Sequence, residues 1–240
     1  MPLVRLDKLL SSQGFGSRIE IKNLLKQGNV IINGKIVRSA EYKSDSEKDN
    51  IFVNGKQINY QKNVYYMLNK PQGVVSASRD PKERTVLDLL PQEMRRPGLF
   101  PAGRLDKDTE GLIIITDDGV FAHEILSPKK HVDKKYFAIL DSTIKPEQIE
   151  LFENGVTLSD GYECMPARLE IIKNDENAQV YVTLREGKYH QIKRMFLSFG
   201  TTVIYLKRLS MGGLFLDDVL KKGDFKQLND SEVNMIYNKL

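Results

Sequence analysis

The sequence is poor in the features that mark secreted, membrane or metal-dependent proteins. Its single cysteine, Cys164, has no partner for an internal disulfide. No apolar run approaches the roughly 20 residues needed to cross a bilayer. The opening residues, Met-Pro-Leu-Val-Arg-Leu-Asp-Lys, lack the apolar core and small-residue cleavage site of a secretory leader. A cytoplasmic chain without a membrane partner is expected. The three histidines, His123, His131 and His190, stand at no ligand spacing with one another or with Cys164, so no metal site is expected. A P-loop, a glycine fingerprint for dinucleotides and a G-x-S-x-G elbow are also missing.

What is present is an ordinary balance of 40% hydrophobic and 28% charged residues in a chain of 240. That length accommodates one large domain, or a small domain and a medium one. The charge distribution favours the second. Residues 1–60 carry 10 basic and 6 acidic side chains, whereas the remaining 26 of each sign cancel. The whole formal excess of +4 therefore lies in the first quarter of the chain. A small basic module on a neutral body suggests a polyanion-binding appendage.

Within that module, Leu6, Leu9 and Leu10 have the spacing of one helical face. Ser17 and Glu20 form a capping-box pattern ahead of a second helix that ends at Gly28. Asn33-Gly34 and Asn54-Gly55 each follow a run of apolar, strand-forming residues and predict tight hairpin turns. Arg5-Leu6-Asp7-Lys8-Leu9-Leu10, Ser17-Arg18 and the run Gly28 to Gly34 resemble the pattern of S4-type RNA-binding domains. The resemblance implies RNA binding through Arg5, Lys8, Arg18, Lys22, Lys26 and Lys35, chiefly to phosphates. It assigns residues 1–58 to this domain, 59–63 to a linker and 64–240 to a second domain.

The second domain alternates strands and helices irregularly. Strands are expected at 64–68, 112–116, 134–140 and 202–206, with a hairpin over 165–186 around the polar turn 173–177. Helices are expected at 85–90, 120–126, 146–155, from 187 to Gly200, and from about 230 to the C-terminus. The fold class is α+β, with a mixed, mainly antiparallel sheet flanked by helices.

The stretch Gly103-Arg104-Leu105-Asp106-Lys107-Asp108-Thr109-Glu110-Gly111 leads into the apolar run Leu112 to Ile115. Two glycines bracket a charged loop that a buried strand would hold in place. With Asn69-Lys70-Pro71-x-Gly73, Lys135-Tyr136, Glu186 to Met195 and Leu206-x-Arg208 in order, it resembles the signature of RsuA/RluA-type pseudouridine synthases. The resemblance covers residues 64–240. It implies an isomerase that detaches a uracil base at N1 and rejoins it through C5, with no cofactor and no metal.

The same resemblance assigns roles. Asp106 matches the catalytic aspartate; a carboxylate is ionised at neutral pH and can act as a nucleophile without an adjacent base. Whether it attacks base or sugar, or supports a glycal route, is left open. Tyr136 matches the tyrosine that stacks on the target base, Lys193 the cation that pairs with the aspartate, and Leu206 an apolar lining residue. Arg194, beside Lys193, competes for the same assignment and is a further substrate-binding candidate. Arg104 matches the residue that fills the space left by the flipped base. Unstacking a base costs roughly a few kcal/mol, and stacking on Tyr136 returns about 1–3 kcal/mol. Extra binding by the basic module and Arg104 is therefore expected.

Asp108 and Thr109 read as shaping the loop locally, and Lys107 and Glu110 as solvated surface. Lysine at 193 and the run His190 to Phe196 resemble the small-subunit (16S) rRNA branch of the family, which implies a monomer acting on 16S rRNA or on an assembly intermediate. The alternatives are a large-subunit (23S) rRNA enzyme of the same family and a non-catalytic RNA-binding or ribosome-assembly protein.

Overall fold

The computed structural model describes residues 3–127, 130 and 132–238. His131 and the end of the expected final helix, Lys239 and Leu240, lie outside them. The chain divides into two compact units, Met1–Asn63 with Leu90–Leu99, and Val64–Leu89 with Phe100–Leu240.

In the first unit β1 (Val4–Arg5) precedes helices α1 (Leu6–Ser12) and α2 (Arg18–Lys26). The strands β2 (Val30–Ile32), β3 (Lys35–Ile36), β5 (Ile51–Val53) and β6 (Lys56–Gln57) form a sheet in the order β3-β2-β5-β6, while β4 (Lys43–Ser44) pairs with β1. Leu6, Leu9, Leu10, Ile21 and Leu25 pack against Val30, Ile32, Ile51 and Val53. Local chemistry sets the ends of these elements. The Ser17 hydroxyl accepts from the Glu20 amide while the Glu20 carboxylate accepts from the Ser17 amide. Asn33 and Asn54 have φ of 50° and 51° and their following glycines 78° and 77°, the pair of left-handed residues that a type I′ turn needs.

The expected linker is not a free segment. The Gln13 side chain donates to the Gln61 carbonyl and accepts from its amide, both at 3.0 Å. Arg96 donates to the carbonyls of Gln61 and Lys62 at 2.9 and 3.0 Å. These bonds help explain why Leu90–Leu99, which the sequence places inside the second domain, clusters with the first unit.

The second unit is built on a nine-stranded sheet. Its strands are β7 (Tyr65–Lys70), β8 (Phe100–Ala102), β9 (Glu110–Thr116), β10 (Lys134–Leu140), β11 (Arg168–Lys173), β12 (Gln179–Leu184), β13 (Val203–Met211), β14 (Leu214–Phe215) and β15 (Phe225–Gln227). The order is β11-β12-β10-β13-β9-β7-β15, with β14 on β13 and β8 on β9. Every ladder is antiparallel except the one between β13 and β9. All seven residues of β9 are buried, as suits a strand covered on both faces. Helices α3 (Gly119–Leu126) and α6 (Asp230–Met235) contribute Phe121, Ile125 and Val233 to the core around Met67, Leu112 and Ile114, joined by Ile236 just past α6. Helix α4 (Pro146–Asn154) packs near β11.

Several boundaries differ from expectation; β13, expected over 202–206, runs on to Met211. The 85–90 segment is a 3-10 turn over Val86–Leu89. The helix expected from residue 187 is α5 (Gln191–Leu197), because Glu186 and Gln191 hold the preceding residues as a loop. α6 stops at Met235.

Candidate active site

The loop 103–111 takes its shape from β7. Lys70, fully buried, donates from Nζ to the carbonyls of Thr109 (2.8 Å), Asp106 (2.9 Å), Pro71 (3.1 Å) and Lys107 (3.4 Å). Burial pushes its ammonium down to about 8, against the opposing charges of Asp108, Asp106 and Glu110. Ser76 donates to the Leu105 carbonyl at 2.8 Å and accepts from its amide at 3.0 Å. The loop closes at Gly111, whose φ is 101° and where an added Cβ would lie 2.2 Å from the Arg208 carbonyl of β13. Only glycine permits that close approach.

The face of the sheet next to this loop is set by period-two alternation. Along β10 the buried positions include Lys134, Tyr136 and Ala138, and along β13 they include Leu206 and Arg208. Tyr136 lies opposite Arg208 because the ladder shifts between Lys135 and Tyr136, leaving Leu209 without a partner on β10. Such a bulge re-aims the side chains around it.

Asp106, Tyr136, Lys193 and Leu206, all picked out in the sequence, line one cavity with Arg104, Leu105, Thr109, Leu184, His190 and Ile192. The Asp106 side chain retains 26% of its exposure. Lys193 Nζ stands 3.6 Å from Asp106 Oδ2 and His190 Nε2 stands 3.5 Å from Oδ1. Tyr136 and Leu206 are 8% and 6% exposed, so each presents only a small surface to the cavity. The arrangement sets a carboxylate between a cation and an imidazole, beside an aromatic ring and apolar walls. It offers a carboxylate, a cation and an aromatic surface to a small polar group.

Several residues take other places than expected. Arg194 does not line the cavity; its guanidinium pairs with Asp160 at 2.5 Å, because α5 turns successive side chains about 100° apart. Asp108 reaches far beyond its own loop, accepting from Lys193 Nζ at 2.6 and 2.7 Å. Burial pushes the Asp108 carboxyl up, but the Lys193 hydrogen bond and charge outweigh this and hold it below the ordinary value. Glu110 is not solvated surface: it is 4% exposed and accepts from Tyr205 Oη at 2.6 Å and Lys222 Nζ at 2.8 Å. Lys107 is exposed and pairs with Glu83.

Sequence reasoning passed over Lys70 and His190 as site residues. Lys70 stood inside a quoted motif, but a lysine beside a proline gives no sign of full burial. His190 adopts a left-handed conformation (φ 50°, ψ 32°) just before α5 and stacks on Tyr189 with centroids 3.8 Å apart. A non-glycine residue there stores roughly 1–3 kcal/mol of strain, a common mark of functional loops. The preceding loop is anchored by Glu186, which accepts from Gln191, Tyr162 and the Met165 amide.

The module residues Arg5, Lys8, Arg18, Lys22, Lys26 and Lys35 are all exposed. Arg5 is partly committed to Asp7 (2.9 Å) and Glu41 (3.6 Å). Among the described residues, no three His, Cys, Asp or Glu side chains gather as a metal site, and no helix is long and apolar enough to cross a membrane.

Comparison with known proteins identifies the family. Residues 4–49 match the S4 domain and residues 64–198 match RNA pseudouridylate synthase. An uncharacterized RNA pseudouridine synthase of Bacillus subtilis (strain 168) is 47% identical over 97% of this chain and 98% of its own. Ribosomal small subunit pseudouridine synthase A of Escherichia coli (strain K12) is 39% identical over 96% of this chain and 98% of its own. A crystal structure of a pseudouridylate synthase superposes with a TM-score of 0.66 at 34% identity, covering 97% of this chain and 99% of that one. With an S4 domain at its N-terminus and the Asp106 loop inside the matched region, the chain belongs to the RNA pseudouridylate synthase family.

Proposed function

We propose that the protein converts a specific uridine of 16S ribosomal RNA to pseudouridine, with Asp106 as the catalytic carboxylate. The observation that carries the reading is the convergence of Asp106, Tyr136, Lys193 and Leu206 on one cavity from four separate segments of the chain. In this reading the target nucleotide leaves its stack and its base lies against Tyr136. Asp106 acts while the bond from C1′ to N1 breaks and the base is rejoined through C5. Lys193, 3.6 Å away, offsets the charge of the carboxylate in a partly desolvated site. Arg104, exposed at the cavity rim, occupies the place of the flipped base. Exposed cations of the S4 domain hold neighbouring phosphates and add the affinity that the small pocket lacks.

The small-subunit target is supported by near full-length similarity to enzymes named for that subunit, including that of Escherichia coli at 39% identity. The intact carboxylate, aromatic ring and cation weigh against a purely RNA-binding role.

The test is to map pseudouridine in 16S and 23S rRNA from cells lacking the gene and complemented with wild type or Asp106→Asn. Loss of one 16S pseudouridine, restored only by wild type, is expected. A missing 23S site would move the substrate to the large subunit. Restoration by Asp106→Asn would remove Asp106 from the chemistry.

A further inference from the structure

A second cavity of about 320 Å³ adjoins the first and shares Arg104, Asp106, Tyr136, Gly187 and Lys188 with it. Two of its lining residues are buried cations, Lys134 at 4% and Arg208 at 3% exposure. Neither forms an ion pair with a carboxylate among the described residues. Arg208 donates from Nε to the Leu112 carbonyl at 2.7 Å, but its Nη2 is buried without a hydrogen-bond partner. Lys134 Nζ has one donor contact, a 3.2 Å bond to the Arg185 carbonyl. The neighbouring acids are committed elsewhere. Asp133 accepts from Arg185 at 2.9 Å, and Glu186 holds Tyr162, Met165 and Gln191.

Burying a cation without a counter-charge is costly, and burying two side by side adds repulsion. Burial, and after it the nearby charge of Arg208, push the Lys134 ammonium down to about 8, against the opposing charge of Asp133. A fold retains such a pair at a cost, and an anion entering the cavity would relieve it. A uracil carbonyl would satisfy donors but leave the charge. A phosphodiester supplies charge and tetrahedrally disposed oxygens, which suit the planar guanidinium and the point-charge ammonium.

We propose that Lys134 and Arg208 form a phosphate subsite that binds a phosphodiester flanking the target nucleotide. The proposal rests on the reading that the Asp106–Tyr136 cavity receives a uridine of RNA. A base lying on Tyr136, which lines both cavities, keeps its own backbone phosphates within one nucleotide of Lys134 and Arg208. The subsite fixes the sugar relative to Asp106, whereas the S4 cations bind phosphates elsewhere. Both are positioning residues.

The test has two arms. In the first, inorganic phosphate is titrated into the full-length protein while thermal unfolding is followed, with sodium chloride as the ionic control. Wild type should gain at least about 2 °C more than Lys134→Met at 100 mM phosphate, since only it has the complete site. Lys134→Arg should restore the gain. Without ligand, Lys134→Met should be at least as stable as wild type, because a buried unpaired charge has been removed; this separates lost binding from misfolding. Equal gains in wild type and Lys134→Met, or none in either, overturn the subsite whether or not the protein modifies RNA.

In the second arm, target RNAs each carry one neutral methylphosphonate near the uridine. At one flanking linkage wild type should lose about tenfold or more in kcat/KM, and Lys134→Met should lose no more there than it already has. Losses that multiply at every linkage would show that the cations read no RNA phosphate, leaving only free phosphate as ligand and overturning the proposal. Absence of pseudouridine with unmodified RNA would instead fail the functional reading, while the first arm still decides the anion site.

Discussion

Lys193 Nζ lies 2.6 and 2.7 Å from the two carboxylate oxygens of Asp108, yet 3.6 Å from Asp106. The cation is thus held chiefly by Asp108, and Asp106 feels it at longer range. Asp108→Asn should release Lys193 toward Asp106 and change kcat/KM by about tenfold or less. Lys193→Met leaves two carboxylates without their cation and should cost about 100-fold or more, since a partly buried charge loses its partner. Asp106→Asn should abolish product. Single-turnover pseudouridine formation measures all three, and an Asp108→Asn variant as inactive as Asp106→Asn would contradict the division of roles.

Stability should rise with pH on the alkaline side. The ammonium groups of Lys70 and Lys134 are pushed from the ordinary 10.5 down to about 8 by burial. Between those values the unfolded chain binds more protons than the folded one, so unfolding becomes harder as pH increases. Below pH 8 both groups are charged in either state and the burial penalty is felt in full. Lys134→Met should flatten the dependence by up to about 1.4 kcal/mol per pH unit. Urea midpoints at pH 8, 9 and 10 for wild type and variant would show it; parallel curves would mean Lys134 is not desolvated.

Gly111→Ala should destabilise the protein by about 3 kcal/mol or more. Its Cβ would fall 2.2 Å from a backbone oxygen that cannot move without breaking the β9–β13 ladder. Gly119→Ala is the control, because nothing lies within 4 Å of its added Cβ and its φ is not positive. That change should stay within about 1 kcal/mol. Thermal unfolding of the two variants makes the comparison.

Replacing Arg18, Lys22 and Lys26 together by Gln should weaken RNA binding and lower the slope of log K against log salt by about 2–3, if each cation neutralises one phosphate. Filter binding of rRNA fragments over a salt series reads this directly. An unchanged slope would place the RNA elsewhere on the molecule.

Patterns that are local in sequence were legible because their physics is local. The Ser17–Glu20 capping box, the two Asn-Gly turns and the strand Lys134–Leu140 formed where short-range propensity placed them. The line-up of Asp106, Tyr136 and Lys193 came from motif order, since three residues so far apart in sequence carry no mutual signal. The reach of Asp108 across 85 residues to Lys193 could not be read, because charges on a loop look alike until the fold chooses their partners. Glu110 was misread for the same reason: a carboxylate is buried only when a remote Tyr205 and Lys222 come to meet it. The place of Leu90–Leu99 in the first unit depends on side-chain bonds such as those from Arg96 to the backbone at 61 and 62, which no composition shift announces.

The carbonyls gathered around Lys70 resemble the oxygen cage that a protein builds for a dissolved cation. Here the cation is tethered to the polypeptide. Its occupancy follows from folding alone and is insensitive to chelators, dialysis or the ionic make-up of the surroundings. The shape of the Asp106 loop is therefore tied to β7 by a ligand that belongs to the chain itself.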